Sequence, residues 1–113
     1  MPVAYDEYTK VAGLTPEGDL AGAAAAGELR RAVDAALGAG RVADVVIDLT
    51  QARFIDSAAL EALLWARRRA ESRGGRMALA GPDANARKVL ELTRLDRRFE
   101  CHPDLPAALK AVA

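Results

Sequence analysis

The spacing of hydrophobic positions changes several times along this chain, and each change marks an element. From Val3 to Leu14 apolar and polar residues alternate weakly and include Tyr5, Tyr8, Thr9 and Val11, which predicts one or two short strands. Pro16, Gly18 and Gly22 then punctuate the chain as a loop. In GELRRAVDAALGAG the spacing becomes three and four residues: Leu29, Ala32, Val33, Ala36 and Leu37 share one helical face, and Gly38 and Gly40 stop the helix. VADVVIDL, residues 42–49, holds a continuous β-branched run, the pattern of a strand buried on both sides. The longest helix runs from Ser57 to about Arg73, with Ala59, Leu60, Leu63, Ala66 and Ala70 as its apolar stripe and Gly74-Gly75 as its stop.

Beyond it, Met77 to Ala80 predicts a short strand closed by Gly81-Pro82, and NARKVLELTRL a further amphipathic helix. Phe99 to His102 reads as a last strand, and DLPAALKAVA as a short closing helix with Pro106 in its first turn. GAAAAG, residues 22–27, is a loop or a frayed helix start. Strands that alternate with helices predict an α/β domain with a largely parallel sheet, and 113 residues suffice for one domain, spanning residues 1–113.

Composition narrows the function. Apolar residues make up 51% of the chain but aromatics only 4%, so the core is aliphatic. Sixteen basic and sixteen acidic side chains cancel, which argues against nucleic acid as a partner. The single cysteine, Cys101, has no intramolecular partner for a disulfide and fits a reducing compartment. MPVAYDEYTK has no signal-like apolar core, and no stretch reaches the ~20 apolar residues of a membrane span. The expectation is a soluble cytoplasmic domain without membrane insertion.

Most candidates for chemistry have a plainer account. His102, the one histidine, lies beside Cys101, yet a lone His-Cys pair falls short of the three or four ligands zinc takes. GLTPEGDLAG lacks the Gly-Lys-Ser/Thr ending of a phosphate-binding P-loop and the spacing of a dinucleotide site. Arg67, Arg68 and Arg69 point about 100° apart on a helix and form no single patch, and Glu71 pairs with Arg67 or Arg68 at helical spacing. Asp48, at a strand end, lacks the acid pair of a phosphate-accepting receiver. No catalytic residue, metal or cofactor is expected. Ser57 remains. Serine and aspartate are preferred helix caps, so Asp56-Ser57 is a cap, a point of contact, or both.

The wider pattern favours contact. VVIDLTQA followed by FIDSAALEALL resembles the signature of the STAS domain, the fold of bacterial anti-sigma factor antagonists. The likeness runs through Asp48, Leu49, Phe54, Ile55, Asp56, Ser57, Ala58, Ala59 and Leu60, continues in ALAGPDANARKVLELTRLDRRFECHPDLPAAL, and reaches upstream to Gly18-Asp19-Leu20. It covers about residues 10 to 112. It implies a mixed, mostly parallel sheet of four or five strands with helices packed largely on one side. It also implies a regulator rather than an enzyme: a protein that binds an anti-sigma factor with serine-kinase activity, is phosphorylated at Ser57, and is restored by a phosphatase. A homodimer is left open. The rival is an unphosphorylated STAS scaffold in a lipid-transport or stress-signalling complex.

Partner contacts are expected at Asp19, Asp56, Ser57 and Ala58. Helical spacing adds Glu61, Trp65 and Arg68, one, two and three turns on from Ser57. Trp65 is an interface anchor or a half-buried residue at the edge of the core. The sequence departs from the family where glycine is common: Ala59 brings a methyl and Glu61 a carboxylate. Ala21 stands where an aspartate is usual, and GAAAAG offers no hydroxyl, so a cap on the first helix is expected to be missing.

Overall fold

The computed structural model describes residues 3–112; Met1, Pro2 and Ala113, the last residue of the expected closing helix, lie outside them. The N-terminal alternation forms two strands, β1 (Val3–Tyr8) and β2 (Val11–Pro16), paired antiparallel as a hairpin. Lys10 turns it in the left-handed region at φ 61°. The helix α1 (Ala23–Gly38), the strand β3 (Asp44–Asp48), the helix α2 (Ser57–Ser72) and the strand β4 (Met77–Ala80) follow. After the helix α3 (Ala84–Leu92) come a 3-10 turn (Leu95–Arg97), the strand β5 (Glu100–His102) and the helix α4 (Leu105–Val112). The strands lie in the order β1-β2-β3-β4-β5, and every pair after the hairpin is parallel. The parallel part of this sheet is what the alternation of elements predicts, and the mixed five-stranded α/β sheet as a whole is what the family resemblance implies.

Alternate residues of the strands face opposite layers. Leu14, Ile47 and Leu79 stand in register across β2, β3 and β4 and join the larger core with Leu29, Val33, Leu60 and Leu63 of α1 and α2. Ala86 and Leu90 of α3 close the same layer. On the other face Val46, Ala78 and Ala80 pack against Ala108 and Val112 of α4. Three helices thus share one side and one covers the other. β3 is buried on both sides, which is why its run reads as continuous rather than alternating.

Two boundaries differ from the sequence reading. The alanines of GAAAAG are helical: α1 starts at Ala23, because Ala25 and Ala26 are buried and complete the face led by Leu29. Helix α3 ends at Leu92, since Thr93 turns its hydroxyl back onto the Val89 carbonyl and Arg94 adopts φ 60°. At Gly75 the chain passes so close to Ala43 that a Cβ would lie 1.9 Å from the Ala43 carbonyl oxygen. The glycine is needed there for space.

Candidate functional site

The connection from β3 to α2 builds the site. Asp48, 8% exposed, ends β3 and accepts a hydrogen bond from the Thr50 amide, which turns the chain. Residues 53–55 then extend beside the loop that precedes α1. The Leu20 amide donates to the Phe54 carbonyl at 2.9 Å, and the Asp56 amide donates to the Leu20 carbonyl at 3.1 Å. Leu20 and Ile55, both buried, form this parallel bridge and anchor it in the core. Asp19 reinforces it, accepting from the Arg53 and Phe54 amides at 3.0 and 3.3 Å. The two loops are therefore one surface, fixed by backbone bonds on a buried base.

Asp56 carries the junction. One carboxylate oxygen accepts from the Ala59 amide at 3.0 Å and caps α2; the other accepts from the Gly22 amide at 2.6 Å and holds the start of α1. Those amides, Gly22 first and Ala59 second, hold the Asp56 carboxyl below the usual aspartate range. It is ionised at neutral pH. Asp56, not Ser57, is thus the cap of α2, because Asp56 is the residue in extended conformation with an acceptor aimed at the third amide of the helix.

Ser57 is the first helical residue and is exposed, and its hydroxyl makes no hydrogen bond among the described residues. Glu61 and Arg68 are exposed on the same helix, and Ala58 is half-buried against the core. Trp65 is also half-buried: one side packs on the core and the Arg69 guanidinium lies 5.7 Å from its ring centre. Arg69 is held in turn by Asp34 of α1 at 2.9 Å. The Ala59 methyl points inward and is wholly buried, so it does not stand between a partner and the helix as the comparison with glycine suggested. The expected gap at α1 is real, since Gly22 caps that helix with no side-chain bond. Asp56 fills part of it from across the loops.

Two contributors escaped the sequence reading. Phe54 is 61% exposed beside Asp56 and Ser57. Its signal was its place in the short connection between β3 and α2, directly beside the charged Arg53. The other is the Gly22 amide, and no pattern in the sequence points to its bond with Asp56.

Among the described residues, neither the histidine nor the cysteine belongs to this site. His102 lies on β5 with its Nε2 3.7 Å from Glu100, not beside Ser57. Desolvation, then Asp96, pushes the Cys101 thiol up, the reverse of an activated nucleophile. Among the described residues no group of three or more His, Cys, Asp or Glu is placed to hold a metal, and no helix is long and apolar enough to cross a membrane.

Comparison with known proteins places this arrangement. The STAS domain model matches residues 4–108. A candidate anti-sigma factor antagonist from Thermotoga maritima is 26% identical and superposes with a TM-score of 0.88 over 97% of this chain and 93% of its own. An anti-sigma factor antagonist from Mycobacterium paratuberculosis is 25% identical, with a TM-score of 0.80 over 97% and 92%. The Bacillus cell fate determinant SpoIIAA in its phosphorylated form, 20% identical, shares the fold with a TM-score of 0.74 over 98% and 99%. No curated protein sequence matches the chain. With a family model spanning nearly its whole length and the fold of those antagonists, the chain belongs to the STAS domain family.

Proposed function

We propose that this protein is an anti-sigma factor antagonist that docks through the end carrying Phe54, Asp56 and Ser57, and that phosphorylation of Ser57 ends the association. The observation that carries this reading is the exposed, unbonded Ser57 hydroxyl at the first turn of α2, on a surface made rigid from beneath. A kinase can reach such a hydroxyl without unfolding anything. The partner is an anti-sigma factor with serine-kinase activity, a phosphatase reverses the modification, and this chain itself needs no cofactor and makes no bonds.

The energetics favour a switch. Phosphorylation adds about −1.5 to −2 charges next to the ionised Asp56. In the free protein water screens that pair, and a helix N-terminus stabilises an anion by ~0.3–1 kcal/mol. In a docked interface the water is removed, at several kcal/mol per ion. The unfavourable term is larger in the complex than in the free protein, so the complex dissociates. Phe54 supplies apolar contact area and Glu61 sets the charge a partner must tolerate.

The test is mass spectrometry after incubation with the cognate kinase and ATP. One phosphate is gained by the natural sequence and none by Ser57→Ala; a kinase that binds but never labels Ser57 overturns the switch. The second reading, a STAS scaffold that is never modified, is favoured by Glu61, whose carboxylate one turn from Ser57 repels the phosphates of an approaching nucleotide. On that reading Ser57→Glu leaves partner affinity unchanged, whereas on the first it lowers it by about tenfold or more.

A further inference from the structure

Four arginines of this neutral chain meet at the end of the sheet opposite Ser57. There, a cleft of about 340 Å³ opens between the last turns of α2, the start of β4 and the 3-10 turn before β5. Arg67, Arg76, Arg97 and Arg98 line it, against only Glu71 and Glu100. Met77 and Phe99, both buried, lie beneath it, and most of the surface it presents is polar.

The four guanidiniums are not equivalent. Arg67 is held by Glu71 at 3.4 Å, one turn along α2. Arg76 is held by the Glu100 carboxylate and by the Ala111 carbonyl of α4. Those two are fixed in place by their partners. Arg97 and Arg98 are exposed and have no ion-pair partner among the described residues. They are carried by the turn that follows Arg94, a non-glycine residue in the left-handed region at φ 60°. A side chain in that conformation costs free energy, and here it redirects the chain at the end of α3 so that Arg97 and Arg98 border the cleft. Four guanidiniums against two carboxylates leave a formal excess of two positive charges around the cleft.

We propose that this cleft binds a small organic phosphate carrying two or more negative charges. Planar guanidinium forks match phosphate oxygens two at a time, and two guanidiniums held by carboxylates lose little further freedom when a ligand arrives. The volume is at the lower end of small-molecule sites, large enough for a diphosphate with a compact organic portion. The site lies at the opposite end of the strands from Ser57, so a ligand there leaves the Ser57 surface uncovered.

Titration calorimetry with pyrophosphate tests the proposal, because pyrophosphate presents the required charge in its smallest form. Binding is expected with a Kd below about 1 mM at low salt, weakening as salt is raised. The double variant Arg97→Ala, Arg98→Ala, checked for an unchanged thermal transition, is expected to bind at least about tenfold more weakly. Arg53→Ala, at the Ser57 end, is expected to bind as the natural sequence does. No heat at millimolar pyrophosphate, or equal affinity in the double variant, overturns the proposal. So does binding to phosphatidylglycerol vesicles without any binding of pyrophosphate, which makes this end a membrane-facing surface instead.

Discussion

At Asp56 a single carboxylate ties the first turns of two helices together, and its pH dependence follows from that geometry. The Gly22 and Ala59 amides favour the ionised form, so the folded pKa lies below the unfolded one. Stabilisation from this group is fully present above about pH 4 and is lost as pH falls through the folded value. Asp56→Asn does not titrate. Its unfolding free energy, followed by urea titration between about pH 6 and about pH 3, should decline less steeply than that of the natural sequence. Equal slopes would show that the Gly22 bond at 2.6 Å carries no charge dependence. Ser57, by contrast, is exposed and caps nothing, so Ser57→Ala should change stability by no more than about 0.5 kcal/mol. Phe54→Ala should likewise leave the thermal transition in place while weakening capture of the anti-sigma factor by about tenfold or more, measured by surface plasmon resonance. An unaltered affinity would remove Phe54 from the interface.

Among the elements, the aspartates before α2, α3 and α4 (Asp56, Asp83 and Asp104) repeat one capping geometry. Asp83 accepts from the Ala86 amide at 2.8 Å as Asp56 does from Ala59, and α3 is short enough to depend on it. Asp83→Ala should cost about 1 kcal/mol in denaturant unfolding. The connection from α2 to β4 is less forgiving. Gly75→Ala places a methyl into the Ala43 carbonyl, and neither backbone segment has a flexible end to yield, so a loss of about 3 kcal/mol or more is expected. A mild effect would mean that this turn relaxes away from β3. The β3 and α2 spans were legible in the sequence because an uninterrupted β-branched run and a three- and four-residue stripe have no competing interpretation. The start of α1 was not, because alanine favours helix but carries too little apolar surface to reveal which side is buried.

The whole molecule sets a gradient of order across the sheet. β3 is covered by α1 and α2 on one side and α4 on the other, whereas β5 is a three-residue edge strand. Amide hydrogen exchange should be slowest in β3 and faster in β5, with β1 also losing protection early as the other edge. Protection of β5 equal to that of β3 would contradict this layering. The same architecture separates two surfaces. Backbone bonds between the loops after β2 and β3 make the Ser57 end, and the arginine cleft occupies the opposite end of the strands, so a protein of zero net charge presents two chemically different faces.

The sequence alone determined the succession of elements, the parallel core of the sheet, the aliphatic interior and the placing of Asp56-Ser57 at a helix start. Each follows from spacing or from residue preference, which act over a few positions. Only the tertiary structure decided which of the two residues caps the helix, that the Ala59 methyl is buried, that Phe54 is presented outward, and that Gly22 is held by Asp56 from 34 positions away. Those outcomes depend on how two loops meet over the sheet, through hydrogen bonds between backbone groups that every residue carries. Spacing in the sequence does not encode such partners; packing selects them.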